Sequence, residues 1–152
     1  MYNKYLATVY RSIYGEDFNN GSKRDRTRMQ RTVFLLAEHG TSLGDYDFSW
    51  YGKNGLWSIT LDDDLCDITH AEEIAFSSDA QSSINKIKDL IHTKTDYSMD
   101  NWIDCLVMLL HLRKYVMSSY LNDSIICNDM SCKHPHLNHS DAMKLLRETF
   151  AL

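Results

Sequence analysis

Cysteine and histidine crowd into one short stretch of this chain: Cys127, Cys132, His134, His136 and His139, spaced C-x4-C-x-H-x-H-x2-H. Thiolates and imidazoles are the ordinary ligands of zinc, which takes four of them at tetrahedral corners, often in close pairs such as C-x2-4-C. The spacing here is looser. Three histidines packed so densely suit an irregular loop better than a tetrahedron. The cluster therefore reads as structural, and neither a metal nor another cofactor is expected.

A second group with possible chemistry is the acidic triplet Asp62-Asp63-Asp64. Carboxylate oxygens bind hard divalent cations. Adjacent residues on a helix point in different directions, however, and carboxylates at a helix start already complement the macrodipole. Nucleophilic catalysis finds no support. The chain has no G-x-S-x-G, no phosphate-binding glycine loop and no recognisable Cys-His frame. Cys66 and Cys105 read as small buried hydrophobes. No catalytic residue is expected.

Two groups could instead bind a partner. Tyr46, Phe48, Trp50, Tyr51 and Trp57 form an aromatic segment; such rings serve as core, as interface anchors or as base-stacking platforms. Alternation at 46, 48 and 50 would put three rings on one strand face. Lys23, Arg24, Arg26, Arg28 and Arg31 form the one basic cluster. On a helix Arg24, Arg28 and Arg31 share a face opposite the apolar stripe, where they could hold phosphates, meet an acidic partner or simply face solvent beside Asp25 and Glu38.

The elements that must position these groups follow from apolar spacing. Tyr2, Leu6, Val9, Tyr10 and Ile13 predict a helix over residues 2–14. A second helix begins near Ser22, carries Met29, Val33, Leu36 and Ala37, and ends at His39 with Gly40 as its cap. Residues 48–60 predict a β-hairpin turning at Lys53-Asn54-Gly55. Helices are expected over about 62–70, over 79–92 on Ile84, Ile87, Leu90 and Ile91, and from Ser98 or Asp100 to about 120. That last helix, with Trp102, Ile103, Leu106, Leu109, Leu110, Leu112, Val116 and Met117, is apolar over more than half its circumference and should be central. The stretch from Tyr120 to Cys132 is ambiguous. Asn138 predicts the cap of a final helix bearing Ala142, Leu145, Leu146 and Phe150.

The chain has 152 residues, 43% hydrophobic and 24% charged. That is the size and composition of one ordinary domain, residues 1–152, able to bury a core without disulfides or metal. The formal charge of -5 argues against a surface built throughout for nucleic acid. Four scattered cysteines, no signal-like apolar start and no apolar run near the ~20 residues of a membrane span point to a cytoplasmic setting.

The order of the pieces resembles a known family. Residues Arg28 to Gly40 (RMQRTVFLLAEHG), Tyr46 to Tyr51 (YDFSWY), Gly55 to Leu61 (GLWSITL) and Asp63-Asp64-Leu65 are similar to the YwgA-like proteins, which look related to the Panacea domains of some antitoxins. Trp102 to Tyr115 resembles that family's central helix. Lys133-His-Pro-His136 with Ser140 to Leu146 resembles its closing motif and helix. The chain departs from the family in having Leu56 and Ile59 at two proline positions and one extra residue between Tyr51 and Gly55. The resemblance implies a small, helix-rich, winged-helix-like fold and little about activity.

The expectation is thus a mostly α (α+β) helical domain with a small hairpin near residues 48–60. Its expected role is a non-catalytic protein-interaction or regulatory module, antitoxin-like or defence-associated, binding another protein through Phe48, Trp50, Tyr51 and Trp57. The alternative is a nucleic-acid-binding regulator that presents Arg24, Arg28 and Arg31 from a dimer.

Overall fold

A computed structural model describes residues 3–93, 98–116, 122–133 and 139–152, with the backbone alone at 129 and 131–133. The described chain is mostly helical, with one two-stranded antiparallel hairpin. Its contacts divide it into two compact units, residues 1–89 and 90–152.

The first unit opens with α1, Lys4–Tyr14. Asn3 caps it by accepting from the Tyr5 amide, and Gly15 ends it at φ 72°, where a side chain would be strained. Leu6, Val9, Tyr10 and Ile13 are all but inaccessible, as the spacing predicts. Helix α2, Lys23–Glu38, is capped by the Ser22 hydroxyl, which accepts from the Asp25 amide, and terminates at His39 with Gly40 left-handed. Met29, Val33, Leu35 and Leu36 form its buried side.

The hairpin pairs β1, Ser49–Trp50, with β2, Leu56–Trp57, in the register Ser49 to Trp57 and Trp50 to Leu56. Helix α3, Ile59–Cys66, follows at once. It starts three residues earlier than the sequence suggests because the Ser58 hydroxyl takes the Leu61 amide and nucleates the turn there. Helix α4, Ser78–Ile91, carries Ile84 and Ile87 inward, and the boundary between the units falls near its end.

The second unit is built on α5, Met99–His111, capped by Ser98. Trp102, Ile103, Leu106, Leu109 and Leu110 are buried, and the Trp102 indole donates to the Leu90 carbonyl at 2.9 Å. The helix then widens into a turn of π-helix, Leu112–Val116, and Val116 is 60% exposed rather than part of the core. Helix α6, Asp123–Lys133, occupies the stretch the sequence leaves ambiguous. Helix α7, His139–Phe150, buries Ala142, Met143 and Leu146 and packs on both α5 and α6. Asp123 receives both Arg147 and Arg113. The expected cap Asn138 lies outside the described residues.

Candidate interaction surface

The hairpin depends on α2. Arg31 is an interior residue, 8% exposed. Its guanidinium donates to the carbonyl of Leu56 and to that of Asn54 at 2.6 Å. One position earlier, buried Gln30 clasps Ser58: its Nε2 donates to the Ser58 carbonyl and its Oε1 accepts the Ser58 amide, both at 2.8 Å. These bonds satisfy backbone groups at a loop that has too few strand partners of its own. The turn closes with the Tyr51 amide donating to Gly55, whose φ of 68° favours glycine.

So fixed, the hairpin has unequal sides. Leu56 and Trp57 of β2 are buried. Phe48 is half-buried, edge-on to Phe34 with ring centres 5.6 Å apart. Trp50 is 52% exposed and Tyr51 43% exposed, with Ile59 also exposed just beyond the hairpin. The four aromatic residues singled out from the sequence thus divide: Trp57 belongs to the core, Phe48 to its margin, and Trp50 and Tyr51 to the surface. Tyr46 does not join them. Its hydroxyl donates to Asp64 at 2.7 Å and accepts from Asn3 at 2.8 Å, and burial, reinforced by Asp64, pushes the phenol up to about 12.

The basic residues do not share one solvent face. Sequence alone places Arg31 opposite the apolar stripe; the structure turns it inward, because the bare carbonyls of Asn54 and Leu56 are there to receive it. Arg28 lies 5.1 Å from the Tyr14 ring centre and 3.7 Å from Glu16. Arg24 bonds Glu16 at 2.8 Å and Asp25 at 3.1 Å. Asp25 is buried, which by itself opposes ionisation. The Asn19 amide, the Tyr10 hydroxyl and Arg24 outweigh that and hold its carboxyl below the usual range.

The acidic triplet is dispersed, as adjacent helical residues should be. Asp62 faces Arg26 at 3.3 Å, Asp64 holds Tyr46, and Asp63 is exposed. Of the Cys/His cluster, Cys127 and His139 are buried, with the Cys127 thiol 3.5 Å from the His139 carbonyl. Burial, with Asp123 nearby, raises that thiol. His134, His136 and the Cys132 side chain lie outside the described residues. Cys105 is buried as expected, and desolvation pushes it up to about 12, with Cys127 and Asp104 adding to the effect. Cys66 is exposed, contrary to its reading as a buried hydrophobe; it sits on the last turn of α3, on the side away from Leu61 and Leu65. No described helix is long and apolar enough to cross a membrane.

Sequence reading missed Gln30 and gave Arg31 an outward-facing role. Their side chains build the surface by holding its backbone, and nothing in a residue's type announces that use. Comparison with family models, with curated proteins and with solved structures returned no match to this chain.

Proposed function

We propose that this chain is a non-catalytic, regulatory protein-interaction module whose partner docks on Trp50 and Tyr51. The observation that carries this reading is the pairing of exposure with support. Two large aromatic residues, Trp50 on β1 and Tyr51 just after it, are exposed on a hairpin that Arg31 and Gln30 anchor from the interior, at its turn, its second strand and the residue that follows. A hairpin backbone held in this way needs little ordering when a partner covers it, and aromatic side chains dominate the binding energy of protein interfaces. Exposed Ile59 extends the apolar area. An antitoxin-like role in the cytoplasm is proposed on the likeness of Phe48-Ser49-Trp50-Tyr51 and its flanking helices to the YwgA-like and Panacea proteins.

The nucleic-acid alternative is not favoured. Arg31 is committed to the hairpin, and Arg24 and Arg28 already have carboxylates beside them.

A photo-crosslinking residue placed at Trp50 in the native cell tests the proposal, with the same residue at exposed Lys144 as the reference. A discrete protein adduct at 50 and not at 144 is expected. Identical adduct patterns at both positions, or none at 50, would falsify it.

A further inference from the structure

The first unit contains a cleft of about 600 Å³ whose lining includes none of Phe48, Trp50, Tyr51 and Trp57. That volume is in the range of small-molecule sites. Its walls include Tyr5, Tyr46, Asp45, Asp64 and Glu72. One wall is firmly fixed. The Tyr46 hydroxyl is pinned between Asn3 and Asp64, and the ring lies so close to Gly44 that a Cβ there would come within 2.7 Å of it. That wall is therefore held in place by the chain itself.

Its electrostatics select the sign of a ligand. Three carboxylates line it, against a single ammonium, that of Lys4. The Lys4 ammonium lies 5.4 Å from the centre of the Tyr5 ring, a cation–π distance. The chain thus already places an alkylammonium against this ring.

We propose that the cleft binds a small organic cation, a protonated amine or a guanidinium, through the Tyr5 ring and the carboxylates of Asp45 and Glu72. Lys4 occupies the ring in the absence of that ligand and must yield it. The cation could come free, as a polyamine, or as the lysine or arginine side chain of a peptide. The chemistry of recognition is the same, and the proposal does not rest on the hairpin.

Calorimetric titration of the full chain at low salt tests it, with spermidine and acetyl-arginine amide as probes and citrate as an anionic control. Lys4→Ala should tighten binding roughly two- to fivefold, since it frees the ring and removes a like charge. The double variant Asp45→Asn, Glu72→Gln should weaken it by at least as much. Trp50→Ala should change nothing. Binding of spermidine alone assigns the site to free amines, and binding of the arginine amide alone assigns it to a partner's side chain; either supports the proposal. No binding of either probe, equal binding of citrate, or an affinity that Lys4→Ala leaves unchanged or weakens would overturn it. So would a loss in Trp50→Ala as large as in the double variant.

Discussion

The side-chain amide of Gln30 meets the backbone of Ser58 as one peptide group meets another in a sheet, donating to its carbonyl and accepting from its amide, both at 2.8 Å. Both residues are essentially sealed from water. Gln30→Leu keeps much of the volume but strands two buried backbone groups. At about 1–3 kcal/mol for each orphan, it should cost roughly 2–5 kcal/mol in a urea titration. A loss within 0.5 kcal/mol would mean that the bonds are replaced or were never needed.

Arg31 offers a sharper test, because its role depends on shape. Two carbonyls, of Asn54 and Leu56, are met by one planar fork, which the single ammonium of lysine cannot reproduce. Arg31→Lys should therefore behave nearly as badly as Arg31→Ala. The expected sign is faster amide hydrogen exchange at Tyr51, whose N–H closes the turn on Gly55. Exchange in α1 should be little changed. Any DNA-binding experiment that includes Arg31→Ala would also disturb the hairpin, so Arg24→Ala is the cleaner variant.

These two residues also mark the boundary of what the sequence could tell. Helices α1, α2 and α5 were legible because their apolar residues recur at helical spacing and because Gly40 and Ser98 punctuate them. The hairpin was legible from Asn54-Gly55. By contrast, charge and amide content argue for solvent at positions 30 and 31, and only the tertiary position of the hairpin carbonyls reverses that. Helix α6 was not legible because the stripe of Ile126, Cys127 and Met130 is little more than one turn long, with Ile125 off it and exposed. The candidate surface was half legible: composition located the aromatic segment, but the inward turn of Trp57 and the outward turn of Trp50 follow from which strand lies against α2.

Asp25 should give the protein an acid-sensitive limb. Its folded pKa is depressed, so its stabilisation is fully present above the unfolded value near 4 and is lost as pH falls through the folded value. Asp25→Asn should be less stable than the parent at neutral pH, by about 1–3 kcal/mol from the lost charge-assisted bonds. Its stability should also fall less steeply below pH 4. Thermal melts from pH 2 to 7 read both; parallel curves would refute the assignment.

Leu106 is wholly buried in α5. Leu106→Asp places a carboxylate there with no partner, at a cost of several kcal/mol. The expected result is loss of the cooperative melt of residues 90–152, followed by the fluorescence of Trp102. An unchanged midpoint would remove α5 from the core.

The thiols should separate by reactivity. Cys66 is exposed, whereas Cys105 and Cys127 are buried and their thiols are raised. Since the thiolate is the reactive form, brief alkylation near pH 8 should mark Cys66 at least tenfold faster than either. Peptide mass mapping checks this. Labelling of Cys105 at the rate of Cys66 would show that the second unit opens readily.

The Arg31 fork carries a consequence for divergence. It recognises carbonyl oxygens, which every amino acid supplies, so the identities of residues 54 and 56 are invisible to it. Position 55 is different: its φ is positive, and a Cβ there would stand 3.3 Å from the guanidinium. In descendants of this chain the turn residues Lys53 and Asn54 could drift while Arg31 and Gly55 were inherited or lost as a pair. That covariation would link a charged helix residue to a glycine 24 positions away, and a library randomised at 31 and 55 together would recover it.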